Sequence, residues 1–152
     1  MFDILVYLFE NYPQPDLTHN SELVARKLSA AGFDDSDISE AMAWLAGVVH
    51  APHRACAPLP ASSRALRAFA PRECAKLDAE CLGFLIYLEN AEVLDAALRE
   101  LVIDRALAAS ANRLSLDQLK LIVLMVLWNQ QTPTSRLMAE DLLSSDAQRV
   151  AH

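Results

Sequence analysis

Apolar residues recur at helical spacing along most of the chain, and one run is apolar on every side. In Leu116–Trp128, LDQLKLIVLMVLW, Lys120 is followed by eight consecutive apolar residues, Leu121 to Trp128. A helix with no polar face belongs inside a core, with other helices covering each side of it. A short apolar run is also compatible with a strand. Ser115 as a cap, Asp117 in the first turn and the Leu/Met content favour helix.

The other elements can be read outward from this segment. Phe2, Leu5, Val6, Phe9 and Tyr12 trace a first amphipathic helix that ends before Pro13, with Pro13 and Pro15 in a short extended connector. A second helix over 21–31, capped by Asn20 or Ser21, carries Leu23, Val24, Lys27, Leu28 and Ala31 along one side. Gly32 stands where a left-handed residue closes a helix, and Phe33 is placed to fold back onto it. The acidic cluster at 34–37 then starts a third helix bearing Ile38, Ala41, Met42, Leu45, Val48 and Val49. Residues 51–70 break all periodicity, and Pro52, Pro58 and Pro60 mark an extended connector whose end Leu66 and Phe69 tack onto the core. Pro71 and Glu73 open a fourth helix with the buried stripe Leu77, Cys81, Phe84, Leu85 and Leu88, in which Gly83 predicts the close approach of another helix. Asp95 caps a fifth helix with Leu98, Leu101, Val102, Arg105 and Ala106 inward or at its border. After the central helix, Ser135–Leu143 predicts one more helical segment, followed by a frayed tail.

The predicted fold is all-α and forms a single domain over 1–152. A three-helix unit (1–50) leads through a basic connector (51–70) to a helical bundle (71–146) around the buried central helix. Composition agrees: 152 residues can bury a core of useful size, and three glycines are few for a fold rich in tight β-turns. The central run falls short of the ~20 residues that cross a bilayer. The N-terminus carries Asp3 and Glu10 without a basic leader, which predicts a cytoplasmic protein with no membrane partner. Cys56, Cys74 and Cys81 are an odd set expected to stay reduced, with Cys74 and Cys81 on one face of one helix, too far apart for a disulfide.

Charge changes the picture in one place. The net charge is −7, yet residues 50–76 carry Arg54, Arg64, Arg67, Arg72 and Lys76 against Glu73 alone. An acidic chain repels nucleic acid at long range, so any such binding would fall to this segment, 54–76. Arg64, Arg67, Phe69, Arg72 and Lys76 combine phosphate-gripping cations with a stacking ring, beside the N–H groups of a helix start. The simpler reading has these cations neutralising the acidic flanks and docking 1–49 against 77–152.

Three stretches together resemble the bacterial Smg family: MFDILVYLFENY, RAFAPRECAKLDAECLGFLIYLE, and LRELVIDRALA followed by LDQLKLIVLMVLWN. The match runs nearly the whole length, with residues 50–63 the least alike. The resemblance implies a small bacterial cytoplasmic protein without an assigned activity, often encoded near a DNA-processing protein, and it carries over no catalytic or binding residue. Family members tend to have Thr or Ser where this chain has Ala70, so a capping side chain worth ~1 kcal/mol is missing. The pattern from Leu28 to Leu45 also resembles the helix–turn–helix corner of RecX-type and ubiquitin-associated modules. Fold-level likeness of that kind carries little functional weight.

Candidate chemistry is sparse. His50, His53 and Cys56 have ligand-like spacing, and Cys74 or Cys81 could complete a zinc tetrahedron, but the segment lacks a paired C-x2-C knuckle. The bland alternative, a linker with incidental His and Cys, is preferred, and no metal or cofactor is assigned. Glu100 and Asp104 lie one turn apart beside Arg99 and Arg105, the arrangement of a salt-bridged face. Asp141 and Ser145 share that spacing on the last segment. No phosphate loop, dinucleotide fingerprint or Ser/His/Asp set is present, so no enzyme activity and no catalytic residue is expected. The remaining expectation is an adaptor or regulatory protein that binds an unidentified protein partner, with direct nucleic-acid binding through 54–76 as the alternative. An adaptor predicts an exposed apolar patch of several hundred Å², expected on the first or last helix.

Overall fold

The computed structural model describes residues 1–12, 20–50 and 68–129. Among them are seven α-helices: α1 (Phe2–Asn11), α2 (Ser21–Ala30), α3 (Asp35–Val49), α4 (Pro71–Lys76), α5 (Ala79–Asn90), α6 (Ala96–Ala108) and α7 (Leu116–Asn129). No named strand occurs among the described residues, and the fold is all-α. The expected segment Ser135–Leu143 and most of the connector lie outside the described residues.

The core is built on α7. Leu119 and every residue from Leu121 to Leu127 are buried, because α1, α3, α5 and α6 all pack against this one helix. Its start is fixed by a reciprocal capping box. The Ser115 hydroxyl accepts from the Gln118 N–H at 3.2 Å, and the Gln118 side chain accepts from the Ser115 N–H at 3.1 Å. Trp128, at the far end, is half-buried and meets Phe9 edge-on at 6.1 Å. Among the described residues no helix is long and apolar enough to cross a membrane.

The α2–α3 corner closes as the sequence predicts. Gly32 takes φ +95°, its N–H donates to the Ser29 carbonyl at 3.0 Å, and Phe33 N–H donates to the Leu28 carbonyl at 3.2 Å. Those two bonds satisfy carbonyls that a helix end leaves open. Phe33 then meets Tyr7 of α1 edge-on at 5.6 Å, tying the corner to the first helix.

Two expected stripes are displaced. On α1 the buried residues are Ile4, Leu5 and Leu8, whereas Val6 is 40% exposed and Phe2, Phe9 and Tyr12 are half-buried. Most of α1 is apolar, so periodicity alone cannot locate its buried side; simultaneous packing on α3 and α7 does. On α3, Trp44 joins Ile38, Ala41, Leu45 and Val48 inside.

The expected fourth helix is two helices. The chain extends at Leu77 (φ −107°, ψ 117°), and the Asp78 carboxylate restarts a helix by accepting from the Cys81 N–H at 2.9 Å. Leu77 pairs with Leu114 in an isolated parallel bridge, and the Leu114 N–H donates to the Lys76 carbonyl at 3.0 Å. A cap inside an apolar pattern outweighs the pattern's continuity, since it satisfies N–H groups that the break exposes. Cys74 and Cys81 therefore sit on different helices: Cys74 is exposed and Cys81 is buried.

The glycine at a close approach is Gly47 rather than Gly83. A Cβ at Gly47 would collide with the Arg105 guanidinium, while one at Gly83 meets nothing within 4 Å apart from neighbouring backbone. Beside Gly47, the Trp44 indole N–H donates to the Arg105 carbonyl at 2.9 Å, joining α3 to α6. The Arg105 guanidinium also holds Asp104 at 3.0 Å, and Arg99 pairs with Glu100 and Glu89. The paired acids and bases of α6 thus form the salt-bridged face that the sequence predicts.

The end of α5 repeats the closing motif of α2, with Glu92 in the left-handed position at φ 58°. Its N–H donates to the Glu89 carbonyl at 3.1 Å and that of Val93 to the Leu88 carbonyl at 2.9 Å. A side chain with a Cβ is strained there, and glycine is not. Glu92→Gly is expected to raise stability by about 0.5–1 kcal/mol, read as a midpoint shift at unchanged slope in urea unfolding. An unchanged or lower midpoint would contradict this.

Candidate functional site

The predicted basic site is only partly within view. Arg64 and Arg67 lie outside the described residues, as do His53 and Cys56. Phe69 is half-buried against the core. Arg72 is exposed on α4.

Lys76 is half-buried, and its ammonium donates to the carbonyls of Leu107 (2.8 Å) and Ala109 at the C-terminal end of α6. A cation there satisfies open carbonyls and meets the negative end of the helix dipole. Desolvation lowers its pKa from the ordinary lysine value. Lys76 therefore already has a structural task.

The N–H groups at the start of α4 also have an internal anion. Glu73 is 4% exposed, the one buried charged residue among those described, and its carboxylate accepts from the Ala70 N–H at 2.8 Å. This is half of a capping box, made without the hydroxyl that Ala70 lacks. Glu73 thus places a carboxylate where the sequence would seat a phosphate.

His50 caps the end of α3, exposed, with Nδ1 at 2.9 Å from the Ala46 carbonyl. Among the described residues no group of three or more His, Cys, Asp or Glu is placed to hold a metal. Burial, followed by the Asp78 carboxylate beside it, pushes the Cys81 thiol up to about 11, so it stays protonated at neutral pH. Asp78 is held below the usual carboxylate range, chiefly by the Cys81 N–H it caps. Each of these displaced groups has a packing or capping role that explains it.

A shallow, open groove of about 620 Å³ runs between α2 and α3. Ala25, Ile38 and Met42 form its floor, and the rim carries Asp35 and the Glu22–Arg26 pair at 3.0 Å. None of the titratable groups with a displaced pKa lies in it.

The surface feature that stands out is the outer side of α5. Cys81, Leu85 and Leu88 face the core, while Gly83, Ile86, Tyr87 and Asn90 are exposed and Leu82 and Phe84 are half-buried at the flanks. Ile86 is 39% and Tyr87 63% exposed, side by side, whereas Val6 and Leu23 stand singly on α1 and α2. Scattered apolar residues are normal on a surface; Ile86 and Tyr87 differ in being adjacent and beside a bare glycine. On α1 the exposed large hydrophobic is Val6, the expected last helix lies outside the described residues, and the adjacent exposed pair lies on α5 instead. Its signal was in the sequence: AECLGFLIYLEN has more apolar residues than one buried stripe can use.

Comparison with known proteins matches the whole chain, residues 1–152, to the family described as "Protein of unknown function (DUF494)". The chain is 50% identical over 149 residues to a protein of Azoarcus sp. (strain BH72) named "Protein Smg homolog", covering 96% of this chain and 94% of that one. A protein of the same name from Aromatoleum aromaticum is 47% identical over 153 residues, with 99% and 97% covered. One from Bordetella petrii is 45% identical over 152 residues, with both chains fully covered. No solved structure matches.

Proposed function

The chain belongs to the Smg family, and from that premise we propose that it is a non-enzymatic adaptor or regulatory protein that works through protein–protein contacts, in the setting of nucleic-acid-processing machinery. The observation that carries this reading is the exposed apolar strip of α5, Ile86 and Tyr87 beside Gly83. Contiguous apolar surface of this kind mark sites of protein association. The sparse chemistry supports the same reading, since each group with a displaced pKa packs or caps within the fold. A cytoplasmic setting belongs to the proposal.

The test is capture of partners by tagged full-length protein from an extract divided into nuclease-treated and untreated halves. Partners that survive nuclease and are lost with Ile86→Asp/Tyr87→Asp support the adaptor. Partners that vanish with nuclease overturn it in favour of direct nucleic-acid binding through residues 54–76. That binding would weaken steeply with salt and would fall in an Arg72→Ala variant.

A further inference from the structure

The α5 strip has a shape and a charge pattern that specify its occupant further. Gly83 leaves a notch in the middle of the exposed side, with Ile86 and Tyr87 rising next to it one turn on. Helices approach most closely where one of them lacks a side chain, because the backbones can then come together and the flanking side chains interlock. No described part of this chain uses the notch. The sequence of α5 contains no lysine or arginine, and carboxylates stand at both ends of the strip, Glu80 in its first turn and Glu92 just past its last. Arg99 neutralises Glu89 on one flank; among the described residues neither Glu80 nor Glu92 has an ion-pair partner.

From this geometry we infer that the α5 strip receives a single amphipathic helix of a partner protein, with an apolar ridge seated on Gly83, Ile86 and Tyr87 and a basic residue at each end of the ridge. The inference rests on the adaptor reading and names the partner's chemistry. An apolar ridge at i, i+3, i+4 and i+7 is what a helix offers to such a surface. Bases at the two ends of that ridge would meet Glu80 and Glu92. A second copy of this chain fits poorly. A two-fold contact between α5 helices sets Glu80 against either Glu80 or Glu92 of the other copy, and like charges repel.

The notch makes the test clean, since Gly83→Leu fills open space and replaces a poor helix former with a good one. The probe is a labelled synthetic helical peptide with a Leu ridge and lysines at both ends, compared by fluorescence anisotropy with the same ridge bearing glutamates. Full-length protein is expected to bind the basic peptide at least tenfold tighter at low salt, with the gap narrowing as salt rises. Gly83→Leu is expected to lose at least tenfold of that affinity while melting no lower than the parent protein. The double reversal Glu80→Lys/Glu92→Lys is expected to invert the preference. Equal binding of both peptides, or undiminished binding by Gly83→Leu, would overturn the inference. So would a dimer in sedimentation that Gly83→Leu converts to monomer, because the occupant would then be a second copy. If the peptides fail but Ile86→Asp/Tyr87→Asp still loses a nuclease-resistant partner, the adaptor reading stands and this inference falls. If capture is indifferent to that double variant, both fall.

Discussion

Ile122→Ala is expected to destabilise the fold by about 2–5 kcal/mol, a large share of the 5–15 kcal/mol typical of a domain. Ile122 is fully buried in α7, the helix against which α1, α3, α5 and α6 all pack. Removing its outer carbons loses apolar burial and leaves a cavity that four flanking helices cannot all close upon. Urea unfolding reads the effect as a lower midpoint at unchanged slope. A loss below about 1 kcal/mol would mean that α7 is not the centre of the core.

Trp44→Ala is expected to cost a further large amount, about 3–5 kcal/mol by the same measurement. Trp44 is 4% exposed, and its indole N–H reaches across to the Arg105 carbonyl on α6 at 2.9 Å. Two terms combine, the lost volume of a large ring and a lost bond between helices. Trp44→Phe separates them by keeping most of the volume and dropping the N–H, and it is expected to cost about 1–3 kcal/mol. Equal losses in the two variants would assign the whole effect to the bond, contrary to the packing seen here. Arg105 adds to the same junction by lying against Gly47, where any Cβ would displace it.

Much of this architecture was legible from spacing and caps. Ser115 and Asp117 marked the start of α7, Gly32 and Phe33 the end of α2, and Asp95 the start of α6, whose side chain accepts from the Leu98 N–H at 2.7 Å. Each is a local rule in which a side chain or a glycine satisfies backbone groups within one turn. What the sequence concealed depends on partners distant in the chain. The break at Leu77–Asp78 is held by Leu114, and the inward turn of Ile4 and Leu8 is chosen by α3 and α7 together. Lys76 read as a phosphate ligand because its targets, the carbonyls of Leu107 and Ala109, lie more than thirty residues away. Gly83 read as the close approach of another helix, but nothing comes within 4 Å of a Cβ there, and the close approach falls at Gly47 against Arg105, 58 residues further along the chain.

The proposed partner surface of this protein is the outer side of α5. The most direct measurement compares tagged full-length protein with its Ile86→Asp/Tyr87→Asp variant in capture from nuclease-treated extract, after melting curves show that both are folded. Tyr87 is 63% and Ile86 39% exposed, so the variant is expected to stay folded at a cost of about 1–2 kcal/mol. Loss of the captured set by a variant that remains folded is the expected result. A captured set identical to the parent's, from a folded variant, would contradict it.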